Sequence, residues 1–311
     1  MEKIPAVTAS LELSRLRRAS RLFKSNGRTD VLVTNLEGLG AELSNRAMAI
    51  GNAPGLAANI QEYGDRAKKL SSAVNYASDR LGEVLARLRL INWLTDALSY
   101  QTPEDLIAQV SDPKVVAWRT YMGLAVKDFH TDLGSLMDAL APVVTQTERG
   151  LGAKQQKRPP GWSDLSGDES NARSSKYRAL VPQALLDIVD ETKRWWPPIK
   201  SVRDIMTHRE HDRIVFGNSE DGLLFQIYDR SRTPKIVLPQ VLYSKGYNVV
   251  DFGLYSAFIV AEFLTLFDDI GNAIAKQWQI SRDMAAQMSI RIVEKPVRGS
   301  IRRLIKLAKP E

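Results

Sequence analysis

The chain has 311 residues, 44% hydrophobic and 25% charged, with a formal net charge of +7 and no cysteine. That length and balance suit a soluble globular protein of one large or two modest domains with a sizeable core. Without a thiol there are no disulfides, no thiolate metal sites and no cysteine nucleophile, which fits a reducing cytoplasm.

The positive charge sits at the ends. Residues 1–29 hold seven Lys/Arg and two Glu, and residues 291–311 hold the same numbers, while the span between is net negative. Basic ends suit a polyanionic partner, or serve as solubilising charge on terminal helices. The start, Met1-Glu2-Lys3-Ile4-Pro5, has no apolar run behind its charge, so no signal peptide is expected.

Taken in chain order, the first half reads helical. Leu11 to Lys24 is a basic amphipathic stretch, and Asn52-Ala53-Pro54-Gly55 is a break. From Ala57 to about Leu98 the residues Leu70, Val74, Ala77, Leu81, Val84, Leu85 and Leu88 recur at helical spacing. Thr102-Pro103-Glu104-Asp105 reads as a helix start, and Ser111-Asp112-Pro113 opens a long helix to about Thr145. Residues 149–175, rich in Gly, Pro, Ser and charge, read as a linker.

A helix is then expected from Lys176 to Trp195, broken by Pro197-Pro198, with Pro198 opening the next helix. After His211 the period becomes two, which predicts a small β insertion over 213–238 around Gly217 to Gly222, with Lys235 to Leu238 as a third strand. A long apolar helix follows from about Val250 to Gln277. Its core, Phe252 to Phe267, is too short for a membrane span and reads as buried. The tail from Ser300 to Lys309 is amphipathic and basic. The expected fold is mainly α: an N-terminal helical region (1–110), a helical bundle (111–290) with an antiparallel β insertion before its last long helix, and a basic tail (291–311).

The chemical signal is Arg203-Asp204-Ile205-Met206-Thr207-His208-Arg209-Glu210-His211. An arginine holds a phosphate with a fixed charge, and a histidine moves a proton near neutral pH. An Arg, then Asp, Asn or His, then three residues and a His arises by chance about 0.03 times in a chain of this composition. On an ideal helix Asp204 lies nearly under His208, and His211 shares that side. Arg203 leaves the axis about 140° from His208, so either the helix ends near Thr207 or the site joins two copies in a symmetric dimer.

This motif, with long helices before and after it, resembles the HEPN superfamily of helical-bundle proteins. The resemblance covers roughly residues 114–280. It implies a metal-independent, cofactor-free endoribonuclease of a toxin or antiviral defence system, homodimeric, acting on RNA and held by an antitoxin or regulatory protein. It also implies that Arg203 neutralises the scissile phosphate, that His208 transfers the proton and that Asp204 orients the histidine. Thr207, Arg209 and His211 would line the RNA path. Where some members carry a modifiable tyrosine after the histidine, this chain has Glu210 and His211.

Packing alternatives stand beside these roles. Arg203 pairs with Asp204 or with Glu191, and His208 caps a helix end. Glu262, alone among apolar neighbours, reads either as a site group with a raised pKa or as the partner of a buried cation, with Arg203 one candidate. His130 reads as structural, and Trp195-Trp196 as a base-stacking surface or as core at a helix end. The second functional reading is a non-catalytic helical module that binds protein or nucleic acid through its basic termini. A third, less favoured, uses the basic tail on a membrane surface.

Overall fold

The computed structural model describes residues 7–25, 30–32, 34–52, 58–98, 113–146, 160–167, 170–208, 215–219, 222–226, 236–244, 249–280, 291–293 and 295–309. The protein is mainly α. Its first long helices are α1 (Leu13–Arg21), α2 (Asn35–Gly51), α3 (Ala58–Leu98) and α4 (Pro113–Thr145). In α3 the residues Leu70, Val74, Ala77, Leu81, Val84, Leu88, Ile91 and Leu94 are all buried. They alternate at three and four residues, so one stripe faces α2 and α4. Each of the Leu, Val and Ile side chains stabilises the fold by roughly 1.5–3 kcal/mol on burial. At Gly40 of α2 an added Cβ would stand 2.9 Å from Val74 Cγ1, so the missing side chain lets α2 and α3 approach closely. Ser71 Oγ seals this approach by donating to the Gly40 carbonyl at 2.8 Å.

The expected linker over 149–175 is partly folded. Within it, α5 (Trp162–Ser166) forms, and α6 (Ala172–Arg178) begins. The polar composition hides two anchors. Trp162 and Leu165 are buried, and the Trp162 indole donates to Thr192 Oγ1 at 3.1 Å while its backbone N–H reaches Asp138 at 3.0 Å.

The helix expected over Lys176 to Trp195 is interrupted. After α6 the chain turns at Pro182, and α7 (Gln183–Glu191) follows, then a 3₁₀ turn over Thr192–Arg194. The reason is Pro182 itself, since proline cannot continue the preceding ladder. Arg178 ties α6 to α7 with a two-pronged ion pair to Asp190 at 2.9 and 2.8 Å. That guanidinium holds the Asp190 carboxyl down at about 2. Next comes α8 (Trp196–His208), with Pro197 and Pro198 in its first turn, where no N–H is needed.

Eight short strands among the described residues complete the fold. β1 (Val7–Thr8) pairs in parallel with β6 (Ile236–Val237). β2 (Phe23–Ser25), β3 (Asp30–Leu32) and β8 (Arg291–Val293) form an antiparallel sheet that joins the two ends of the sequence. β4 (Val215–Ser219), β5 (Gly222–Gln226) and β7 (Val249–Asp251) form the antiparallel sheet before the long helix. The strand expected at Lys235 to Leu238 exists as β6, but it leaves this sheet for β1. The third place goes to β7, whose apolar residues merge with those of the helix when periodicity is read alone.

Asp251 ends β7 and caps α9 (Phe252–Gln277), its Oδ1 accepting from the Leu254 N–H at 3.0 Å. Helix α9 is buried nearly all round, as its apolar sequence predicts, and forms the axis of the core. The last helix, α10 (Lys295–Leu307), lays Val297, Ile301 and Leu304 on α9 and also touches α1. The helices of the first hundred residues and the basic tail therefore share one hydrophobic core with the central bundle. No helix among the described residues is long and apolar enough to cross a membrane.

Candidate functional site

Helix α8 buries Ile199, Val202 and Met206 toward the core and packs against α4. That spacing of three and four fixes its rotation, leaving Arg203, Asp204 and Thr207 on a half-buried flank. Arg203 Nη1 donates to Asp204 Oδ1 at 3.1 Å. The two side chains are 30% and 44% exposed, so the pair is anchored in the fold yet open to solvent. Of the alternatives the sequence leaves open, Asp204 is the partner, and Glu191 pairs with Arg15 instead.

The Arg203 guanidinium lies on the backbone of α4 at Gly134. A Cβ there would stand 2.9 Å from Arg203 Nε, 3.0 Å from Cζ and 3.2 Å from Nη2. Gly134 thus makes room for the flat cation, a role invisible in a sequence where it is one small residue on a long helix. Arg203 Nε is buried without a hydrogen-bond partner among the described residues. The Thr207 hydroxyl turns back on its own helix, donating to the Arg203 carbonyl at 2.9 Å.

The helix ends at His208, one residue past Thr207, so it does end near Thr207 as one of the two sequence alternatives has it. On an ideal helix positions 203 and 208 stand about 140° apart, and the side chain of His208 lies outside the described residues. Asp204 sits one turn before His208 but is engaged by Arg203. Arg209 and His211 lie outside the described residues.

The other titratable groups are packed. Glu262 on α9, 1% exposed, accepts at Oε2 from Arg15 Nε at 2.8 Å and from Arg194 Nη2 at 2.7 Å. Arg203, one candidate cation from the sequence, is not its partner: α8 packs on α4, while Arg15 of α1 and Arg194 of the 3₁₀ turn reach this stretch of α9. Burial pushes the Glu262 carboxyl above its usual range despite both guanidinium groups. Arg18 adds ion pairs to Asp268 and Asp269 on the same helix.

His130 on α4 is fully buried. Its Nδ1–H donates to the Val126 carbonyl at 2.7 Å, and the Tyr255 hydroxyl donates to Nε2 at 2.9 Å. Burial among Phe129, Phe225 and Tyr255 lowers its pKa to about 4, so it is a neutral core histidine. Trp195 and Trp196 are buried edge-on against Phe263, at 5.2 and 6.0 Å between ring centres, which places them in the core.

One concavity has no counterpart among the sequence motifs. A cleft of about 560 Å³ at the end of α9 is lined by Arg46, Tyr63, Arg66, Gln277, Trp278 and Gln279. Arg46 donates to the Tyr63 hydroxyl at 3.0 Å and to the Trp278 carbonyl at 3.1 Å, and pairs with Glu42 at 3.0 Å. Its charge is thus spent on the C-terminal end of α9, where a cation is favoured. Among the described residues no group of His, Asp and Glu could hold a metal ion. No protein family, no curated protein and no solved structure matches the chain.

Proposed function

We propose that the chain is a metal-independent endoribonuclease of a toxin or antiviral defence system, with its site assembled from the α8 helices of two copies. The observation that supports this reading best is the Arg203 guanidinium. It is seated on Gly134 and held by Asp204, yet 30% exposed, with one of its nitrogens committed to a protein acceptor among the described residues. A cation fixed in this way can meet charge that develops on a phosphorane without reorganising.

Positions 203 and 208 of an ideal helix stand about 140° apart, so a shared phosphate is reached most simply by Arg203 of one copy and His208 of another. His208 takes the proton of the ribose 2′-hydroxyl and the 2′-oxygen bonds to phosphorus. The bond from phosphorus to the 5′-oxygen breaks, and the leaving oxygen takes up the proton held by the His208 imidazolium. The products are a 2′,3′-cyclic phosphate and a 5′-hydroxyl. A single positioned histidine contributes about 10²–10⁴-fold to such a transfer. A toxin of this kind requires an antitoxin or regulatory protein, and its substrate places it in the cytoplasm.

The test is RNA cleavage in EDTA. The parent protein is expected to cut, and Arg203→Ala and His208→Ala are each expected to abolish cutting while circular dichroism stays unchanged. Mixing the two inactive variants should restore activity through hybrid dimers. Undiminished cutting by His208→Ala removes that residue from the mechanism, and no cutting by the parent across a range of RNAs overturns the reading.

A further inference from the structure

The sequence has two basic ends, and the fold brings them together. Strand β2 follows α1, β8 precedes α10, and both flank β3 in one sheet. The two helices then pack on α9 and on each other. Helix α1 turns Leu16 and Ala19 inward and leaves Arg17 and Arg21 exposed. Helix α10 turns Ile301 and Leu304 inward and leaves Arg302, Arg303 and Lys306 exposed, with Lys309 exposed just past its end. Neither helix contains an acidic residue. Arg303 is partly engaged by Asp251 at 3.3 Å, whereas Arg302 and Lys306 continue along the outer side of α10.

We infer that the joint outer face of α1 and α10 is a docking surface for the phosphodiester backbone of duplex RNA. The choice of RNA over DNA rests on the nuclease reading; the cationic face does not. Three features favour a phosphate backbone. Arg302 and Lys306 stand about 6 Å apart along α10 at 1.5 Å rise per residue, and Lys309 follows just past the helix end. A duplex carries about one charge per 1.7 Å of axis, so this row spans several phosphates. Neither helix carries an aromatic residue, so the face has nothing on which to stack an unpaired base. The apolar stripe of α10 is buried on α9, leaving Leu307 as its one large exposed hydrophobic residue. A helix that inserts into a lipid surface needs that stripe free. The surface is therefore charge without apolar anchor and without base-reading chemistry, which predicts sequence-independent, salt-sensitive binding.

The experiment uses the full chain carrying His208→Ala, so that bound RNA survives, and measures binding to a hairpin RNA over a salt series. The triple change Arg302→Gln, Lys306→Gln and Lys309→Gln is expected to weaken binding at least tenfold near 0.1 M salt. It should also flatten the slope of log K against log salt by about 2–3 units, since each phosphate no longer neutralised removes about 0.9. Arg17→Gln with Arg21→Gln should weaken binding further, because the face is shared. Thermal unfolding should barely move for either set, since all five residues are exposed.

Binding within twofold of the parent in the triple variant overturns the inference. So does an effect confined to α10, or a parent that binds anionic phosphatidylserine vesicles but not RNA. Cleavage by the unmutated chain, assayed separately on a short single-stranded oligonucleotide, tells the two ideas apart. Salt-sensitive docking without any cutting keeps this face and removes the nuclease, and cutting without face-dependent docking does the reverse.

Discussion

Arg15 Nε donates to Glu262 Oε2 at 2.8 Å across 247 positions of sequence. The bond pins the N-terminal helix to the axis of the core, and Arg194 completes it from a third element at 2.7 Å. Glu262 Oε1 is buried with no partner among the described residues, so this carboxylate depends on its two cations. Removing one partner of a buried pair costs about 3–5 kcal/mol when the other charge is left uncompensated. Arg194 still faces Glu262 once Arg15 is gone, so Arg15→Met should lose only part of that range in urea unfolding. The carboxyl is already held above its usual range by burial, and losing Arg15 raises it further. A raised folded-state value means that the stabilising, protonated form prevails at low pH and is lost as pH rises. The defect of Arg15→Met should therefore be larger at pH 8 than at pH 5, and a defect independent of pH would count against this account.

His130 gives the opposite sign. Its pKa falls from about 6.5 to about 4 because burial penalises the charged ring. The unfolded chain binds the proton first, so the neutral ring's contribution is complete above pH 6.5 and is lost as pH falls toward 4. At about 1.4 kcal/mol per unit, the loss across that window is about 3 kcal/mol. Urea unfolding of the parent and of His130→Gln at pH 7, 5.5 and 4 checks this. The variant should be less stable at pH 7, and the gap should close by pH 4.

Trp162 tests whether residues near 162 belong to the fold or to a tether. Its ring is buried and its indole N–H is bonded to Thr192. Trp162→Ala should cost about 3–5 kcal/mol, the range for emptying a large core site. A change within 0.5 kcal/mol in thermal or urea unfolding would return this segment to the linker.

What is legible in the sequence follows from periodicity. The stripe of α3, the long α4 and the all-apolar α9 announce themselves, because helices that bury a face must repeat it. The buried Trp pair beside two prolines is local enough to read in the same way. What stays hidden depends on interactions between distant segments. Nothing near Glu262 names Arg15, and nothing near Lys235 says that β6 will leave its neighbours for β1. The candidate site is half legible. The bond from Arg203 to Asp204 follows from adjacency. The seat on Gly134 arises from the packing of α8 on α4 and carries no local signal.

That seat gives the last prediction. A Cβ on residue 134 would press on the Arg203 guanidinium at 2.9–3.2 Å from three of its atoms, so Gly134→Ala must move the cation. Alanine is a better helix former than glycine by roughly 1 kcal/mol, which offsets part of the crowding within α4. Stability should therefore change little, while the position of the guanidinium changes. A displacement of about 1 Å at a phosphate-binding group can cost about 10²-fold in rate. If Arg203 serves the chemistry, Gly134→Ala should lower kcat for RNA cleavage at least tenfold. Arg203→Ala leaves no cutting to compare, so urea unfolding reads the seat in that background: with no guanidinium left to be displaced, Gly134→Ala should stabilise the variant by roughly 1 kcal/mol. A loss of stability there would mean that Gly134 acts on the bundle as a whole, and the link between the α4 seat and the α8 cation would be gone.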